Sequence, residues 1–395
     1  MKKILVLDTG KEWGGGTNSL IELLKRADRA RFAFSVLFYD NYKKGADSDI
    51  KTEIERLGLA FELLERPRIG AGLKAAREAG RAAFSLSATL KKKYLFNLDY
   101  KHRIVPASEA IAVELKGFDC LYMNNQPSSN LEGILAASLA GVRCIQHARI
   151  ETRLNAMEAK AVNDHVAKVI CVSNGVRDGL IASGVEPDRC VVVHNGIDLS
   201  ARPVEQSVDV RRRLGISLDA CVYGTVGSLV KRKRVDMLIE AASMLKGSLG
   251  GLLIVGDGPE MQRLKDTAAK AGLGDKVIFT GFSSDPLSYI AAMNVFVLAS
   301  EKEGFPRVIL EAMLMAKPVV AFDVAGASEL IDNGRTGVVL REEGAASLAD
   351  ALARIIKDLP LLKTMGEAGR ARVNELFGMD RYVSGVEALL DEVVR

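Results

Sequence analysis

The 395-residue chain has little of what marks several protein classes. Its five cysteines (Cys120, Cys144, Cys171, Cys190, Cys221) lie far apart and form no CxxC pair. That excludes a disulfide scaffold or zinc ribbon and suits thiols buried as small hydrophobes in a reducing cytoplasm. Its four histidines (His102, His147, His165, His194) include no HxxxH or HExxH pair, so a zinc-hydrolase site has no support. Walker A, a GxSxG elbow and a GxGxxG after the first apolar run are all missing, which weakens the NTPase, α/β-hydrolase and dehydrogenase readings together. No apolar segment approaches the roughly 18–20 residues that cross a bilayer. The opening MKKILVLDTG breaks at Asp8, too early for a signal-peptide core, and reads as a strand.

What is present describes a folded chain of two domains. Hydrophobic residues make up 48% and charged residues 26%, near the values of globular proteins, and the length exceeds what one core organises. Short continuous apolar runs alternate with amphipathic segments: Lys3–Leu7, Ala33–Phe38, Cys120–Met123, Arg143–Gln146, Lys168–Val172 and Cys190–Val193, then Val222–Val226, Leu252–Val255, Lys276–Phe279, Val295–Leu298, Pro318–Phe322 and Gly337–Leu340. Runs of this kind suit parallel strands covered on both faces, so the expected class is α/β with two doubly wound parallel sheets. The text changes character after Asn195-Gly196, where a turn and a short charged helix are expected. The boundaries read as 1–195, 196–376 and a terminal helix over 377–395.

Charge is uneven. The window Arg66–Arg103 holds ten Lys/Arg against only Glu78 and Asp99, with Phe84, Leu86, Tyr94, Leu95 and Phe96 interleaved. Such a block fits an anionic membrane surface or a phosphorylated substrate as well as a solvated helix face. The triplet Asp47-Ser48-Asp49 has the form of a metal-binding DxD but lies in a polar stretch and reads as surface. No metal and no cofactor is called for.

The informative segments follow strands in the second half. SEKEGFPRVILE (Ser300–Glu311) runs from a loop into a helix: Gly304 allows close backbone approach, Pro306 suits a helix start, and backbone amides there face an anion or sugar hydroxyls. Glu303 and Glu311 lie eight residues apart, about 12 Å if helical. That reach matches the separation of the sugar and ribose in a nucleoside-diphosphate sugar. VGSLVKRKRVDMLIEA (Val226–Ala241) sets four cations, Lys231 to Arg234, before a helix, with Lys233 the choice for neutralising a diphosphate. In LLIVGDGPE (Leu252–Glu260), Gly256, Asp257, Gly258 and Pro259 form a turn that could border the base.

Taken in order, these segments resemble retaining GT-B glycosyltransferases of family 4, the glycosyl transferases group 1. The resemblance rests on Glu303…Glu311 with VFVLASEKEGFP before it, GDGP, NGID at Asn195–Asp198, ICVSNGVRDGL at Ile170–Leu180 and the glycine loop Gly14-Gly15-Gly16. It implies two Rossmann-like domains facing a central cleft, the first binding the acceptor and the second the sugar nucleotide, with the last helix crossing back. Position by position, Glu303 would contact sugar hydroxyls, Gly304, Phe305 and Pro306 the donor, Glu311 the ribose, Lys233 the diphosphate, His147 the transferring sugar, and Gly15 and Gly16 the substrate. The family's arginine five residues before the lysine is replaced by Ser228; Arg232 or Lys231 substitutes, or the donor is held more loosely.

The implied reaction is transfer of a hexose or N-acetylhexosamine, with retention and without a metal, to a glycan or lipid-linked glycan in cell-surface polysaccharide synthesis. UDP is favoured over GDP, nucleic acid is not a partner, and the expected place is the cytoplasm or the inner face of the membrane. Two other readings stay open, a GT-B sugar-nucleotide epimerase and a non-catalytic sugar-nucleotide-binding protein.

Overall fold

The computed structural model describes residues 1–11, 13–45, 48–65, 70–245 and 250–394. The chain forms two compact units: Met1–Cys171 with Arg177–Val192 and Ser384–Arg395, and Val172–Val176 with Val193–Val383. Each is built on one parallel sheet.

In the first unit the strands are β1 (Lys2–Asp8), β2 (Phe32–Phe38), β3 (Ala60–Leu63), β4 (Cys120–Asn124), β5 (Arg143–Ala148), β6 (Lys168–Cys171) and β7 (Cys190–Val192). Their order is β3-β2-β1-β4-β5-β6-β7. All neighbours are parallel, β1 meeting β2 with Ile4 opposite Phe34 and β4 with Ile4 opposite Cys120. The second unit holds β8 (Val222–Val226), β9 (Gly251–Val255), β10 (Val277–Gly281), β11 (Val295–Leu298), β12 (Val319–Phe322) and β13 (Gly337–Leu340). Its order, β10-β9-β8-β11-β12-β13, repeats the same pattern, again all parallel.

Every residue of β4, β9, β11 and β12 is buried, as expected of strands with helices on both faces, and Tyr122, Phe38, Tyr223, Phe296 and Phe322 are among the largest fully buried side chains. The α/β class and the two doubly wound sheets are as expected. The edge strand β3 is an addition: it is mostly exposed and shows no apolar run.

In both sheets the strand order reverses beside the first strand, between β1 and β4 and between β8 and β11. A crevice opens outside the carboxyl ends of strands at such a point, and ligands of doubly wound sheets bind there. The loops after β1, β8 and β11 are therefore the ones to examine.

The NGID turn has a packing reason. A Cβ on Gly196 would lie 2.8 Å from Met379 Cα, while Ile197 N–H donates to Phe377 O at 2.9 Å and Met379 N–H to Ile197 O at 3.1 Å. The helix that follows, Met379–Val393, buries Val386 and Leu390 completely. Its last turns belong to the first unit, where Asp391 Oδ1 meets Lys2 Nζ at 2.9 Å and Glu387 Oε2 meets Arg31 Nη1 at 3.0 Å. The surface ion pairs contribute little next to the buried leucine. Leu390→Ala is expected to destabilise the first unit by about 2–5 kcal/mol, read as a lower urea midpoint for its unfolding.

Candidate functional site

In the second unit, the loops after β8 and β9 are pressed together through glycine. A Cβ on Gly256 would fall 1.9 Å from Gly227 O, and one on Gly258 2.5 Å from Leu229 O; both have positive φ, 136° and 158°. Gly227 N–H donates to Val255 O at 2.9 Å and Leu229 N–H to Asp257 O at 2.8 Å, so the two loops share a short backbone ladder. Asp257 Oδ1 accepts from Gly258 N–H at 2.7 Å, and Pro259 precedes the helix Met261–Lys270. Ser228 is exposed on this loop.

Lys231–Lys233 form one 3-10 turn, and Arg234 then adopts a left-handed conformation, φ 47°. The four cations separate in role. Lys231 is exposed, and Arg234 bonds Glu343. Lys233 lies over Gly227, its Cε 3.8 Å from where a Cβ would be, and its Nζ donates to Glu303 Oε1 at 2.6 Å. Both side chains are largely buried, 16% and 11% exposed. Arg232 Nη1 stands 3.7 Å from the same carboxylate, and Glu301 N–H donates to Arg232 O at 2.8 Å, pinning the cationic turn to the loop after β11.

That loop holds Glu303, Gly304, Phe305 and Pro306, all buried, and delivers them to the helix Arg307–Leu314. Pro306 is the N-cap rather than the first helical residue, and it provides no side-chain cap. The helix start thus keeps uncapped amides, and its dipole favours negative charge there. Glu311 sits on the second turn; burial raises its pKa, and the Arg307 charge opposes the rise. Gly326, with φ 77°, backs this loop: a Cβ there would meet Gly304 O at 2.4 Å.

A second set of contacts holds Phe305. His194 stacks on its ring at 4.8 Å between centroids and 19° between planes, and Phe377 packs against both rings, 5.5 Å from Phe305 and 5.7 Å from His194. His194 Nε2 is 2.8 Å from Glu329 Oε2, and Asn195 Nδ2 donates to Phe305 O at 3.4 Å. Glu329 also accepts from Asn174 N–H at 3.0 Å, Asn174 Nδ2 at 2.7 Å and Gly175 N–H at 3.2 Å. Although burial works against ionisation, these donors, led by His194, hold the Glu329 carboxyl below its ordinary pKa.

The first unit has its own polar cluster at the β1/β4 switch point. Asp8, 1% exposed, accepts from Gly10 N–H at 2.6 Å, Asn124 Nδ2 at 2.5 Å and Asn125 Nδ2 at 2.7 Å. Burial pushes its pKa up against these bonds and the nearby Arg149. Arg149 Nε donates to Asn124 Oδ1 at 2.7 Å, and its Cγ lies 3.5 Å from where Gly16 would carry a Cβ. Gly15 opens the helix Gly15–Arg26, whose N-cap, Gly14, supplies no side-chain bond. His147 lies inside β5, fully buried, with Nδ1 bonded to Tyr122 Oη. Burial and the Arg149 charge lower its pKa well below the ordinary value, so the imidazole is neutral. It can exchange hydrogen bonds but carries no charge toward a phosphate.

The expected residues of the second half thus converge: Lys233, Arg232 and Glu303 meet, and the Gly256–Pro259 turn supports the loop beneath them. Asp8, Asn124, Asn125, Arg149, Gly326, His194 and Glu329 escaped the sequence reading. For Asp8, Asn124 and Asn125 the local signal is a short polar residue at the end of an apolar run, as in ILVLD or LYMNN; Arg149, Gly326, His194 and Glu329 carry no signal of that kind. The triplet Asp47-Ser48-Asp49 is a surface feature where visible. Asp47 lies outside the described residues, Ser48–Asp49 pairs with Lys43–Lys44, and Asp49 caps the helix Ile50–Glu55. Among the described residues, no three His, Cys, Asp or Glu form a group suited to a metal ion, and no helix is long and apolar enough to cross a membrane.

Comparison with known proteins fits this picture. Residues 13–201 match the family model described as Glycosyltransferase Family 4, and residues 208–372 the one described as Glycosyl transferases group 1. Among curated relatives, the N-acetyl-alpha-D-glucosaminyl L-malate synthase of Bacillus anthracis is 30% identical over 213 residues, 53% of this chain and 56% of that protein. The lipopolysaccharide core biosynthesis mannosyltransferase LpsB of Rhizobium meliloti is 28% identical over 227 residues, 55% of this chain and 64% of that one. The chain therefore spans between about half and two thirds of the length of these relatives. The crystal structure of Anabaena Alr3699/HepE in complex with UDP-glucose aligns with a TM-score of 0.79 at 23% identity, covering 99% of this chain and 100% of that one.

Glu329→Gln is expected to lower the melting temperature at pH 7. Because the folded carboxyl titrates below its unfolded value of 4.5, the stabilisation is present above that pH and is lost as pH falls through the folded pKa. The gap between the two proteins should therefore narrow below about pH 4.5 in thermal melts taken across pH.

Proposed function

Because the chain belongs to the family 4 glycosyltransferases and has the GT-B fold, we propose that it moves a hexose or N-acetylhexosamine from a nucleoside-diphosphate sugar, UDP before GDP, to a hydroxyl of a glycan or lipid-linked glycan in cell-surface polysaccharide synthesis. The observation that carries this reading is the Lys233–Glu303 contact of 2.6 Å over the Gly227 loop. It sets one buried cation and one buried anion side by side at the switch point of the second sheet. Donor binding belongs to residues 196–376 and acceptor binding to residues 1–195, with 377–395 as the terminal helix that completes the first domain.

In this mechanism Lys233 leaves Glu303 for the diphosphate, and Glu303 takes hydroxyls of the donor sugar. Glu311 accepts from the ribose, and the amides at the start of the helix Arg307–Leu314 face the phosphate oxygens. The bond from the anomeric carbon to the phosphate oxygen breaks, and a bond to the acceptor oxygen forms on the same face, with retention. The acceptor's proton passes to the departing phosphate, so no protein nucleophile is needed. The barrier falls through orientation and through neutralisation of the leaving charge by side chains rather than a metal.

Lys233→Ala and Glu303→Ala are each expected to lower turnover by about 100-fold or more, measured by product formation from a labelled donor, and to lower the melting temperature because one charge is left without its partner, with the chain still folded at the assay temperature. Near-normal rates in both would remove the assignment.

The acceptor side of the reading rests on the basic hairpin. Arg66 and Arg68 lie outside the described residues. The helix Ala88–Asp99 buries none of its side chains, Lys92 and Lys93 are exposed, and Leu86 and Leu90 project beside them at 103% and 52% exposure. The aromatic residues are partly spent internally: Phe84 packs on Tyr94 and Phe96 stacks on Tyr100. Arg77 pairs with Asp99 at 3.1 Å. The leucines and the lysine run Lys91–Lys93 remain to meet anionic lipid, at about 1 kcal/mol per cation. In vesicle sedimentation, replacing the three lysines with alanine should weaken binding to phosphatidylserine-containing vesicles by roughly 100-fold. Equal binding of the unchanged protein to neutral vesicles would contradict this.

A further inference from the structure

The loop after β11 keeps buried polar atoms that nothing bonds. Arg307, the first residue of the helix Arg307–Leu314, has Nε and Nη1 shut off from solvent without a hydrogen-bond partner among the described residues, and Ser300 Oγ, on a residue 0% exposed, is in the same state. A guanidinium only donates, and an unmet buried donor costs about 1–3 kcal/mol, more when charged. Folded proteins pair nearly all such groups, and each exception calls for a reason, among them strain, a catalytic role or a bound water or ion. Two orphans at the ends of one short loop, Ser300 to Arg307, indicate that the loop is incomplete without an oxygen-rich ligand.

The sequence positions narrow the ligand atom. Arg307 stands four residues after Glu303 and four before Glu311. Glu311 shares its helix face one turn on, close enough for the Arg307 charge to act on it. If Glu303 holds the sugar and Glu311 the ribose, the group between them in any nucleoside-diphosphate sugar is the pyrophosphate. A side chain at the first helical position leans toward the helix start, where the uncapped amides already favour an anion. Lys233 brings one cation to this site, while exposed Ser228 brings none.

We propose that Arg307 is a donor-binding residue, the second cation of the diphosphate site, offering its two unpaired N–H groups to phosphate oxygens. This deepens the nucleotide-sugar reading and rests on it. A planar guanidinium presenting adjacent donors suits a phosphate better than an ammonium does, so lysine should replace it only in part.

The test compares the unchanged chain with Arg307→Gln and Arg307→Lys by calorimetric titration and thermal melts, using UDP, GDP and ADP and the matching nucleosides as probes. For the diphosphate that stabilises the unchanged chain, Arg307→Gln should bind roughly 10- to 100-fold more weakly and Arg307→Lys in between, with the affinity for the nucleoside unchanged. The melting temperature of each ligand-free variant serves as the check on folding, since Arg307 also offsets the burial of the Glu311 carboxyl; a purely structural arginine would weaken nucleoside and diphosphate binding alike. Diphosphate affinity within twofold of the unchanged chain, or equal losses for nucleoside and diphosphate, would overturn the proposal alone. If none of the three diphosphates raises the melting temperature of the unchanged chain, the nucleotide-sugar reading fails and takes this inference with it.

Discussion

The contact between Lys233 and Glu303 is the constraint around which the second unit is arranged. Two charges so far removed from water are costly unless each answers the other. Here they do, at 2.6 Å, and the surrounding backbone is shaped to permit it. Gly256 and Gly258 let the loops after β8 and β9 pack backbone to backbone, the cationic turn is tied by Glu301 N–H to the loop that carries Glu303, and Gly326 lets that loop lie flat against its neighbour. A ligand that offers phosphate oxygens to the cation and hydroxyls to the anion replaces this internal partnership with two external ones.

The fold places such a site where sheet topology already opens a crevice. Both sheets reverse their strand order beside the first strand, and both place their polar residues there: Asp8 and Asn124 in one, Gly227 and the Glu303 loop in the other. The units are nonetheless tuned differently. The first switch point holds a buried carboxyl whose pKa is raised, amide side chains, an uncharged histidine and the Arg149 guanidinium. The second concentrates charge.

Much of this was legible in the amino-acid order because the signals were local. Val295–Leu298 and Gly337–Leu340 are uninterrupted apolar runs, Val222–Val226 is broken by Thr225, and the strands have those bounds. Ala60–Leu63 escaped because an exposed edge strand needs no apolar run. Glu303 and Lys233 could be read because each sits in a strand-to-helix loop with glycine beside it. Glu329 and His194 could not: they lie 135 residues apart, and only the folded chain brings the imidazole onto Phe305 and the carboxylate onto the imidazole. Gly326 likewise looks like an ordinary turn glycine until the carbonyl of Gly304 is seen in the space a methyl would fill. Arg307 stands midway between the two glutamates in sequence, yet its significance depends on what surrounds its nitrogens, which spacing does not report.

The most direct measurement is a crystal structure of the chain with the nucleoside-diphosphate sugar that most raises its melting temperature. The account predicts that Lys233 Nζ leaves Glu303 for a phosphate oxygen, that Glu303 accepts from hydroxyls of the sugar, and that Glu311 accepts from those of the ribose. A donor seated away from the loop after β11, with the Lys233–Glu303 contact intact, would contradict it.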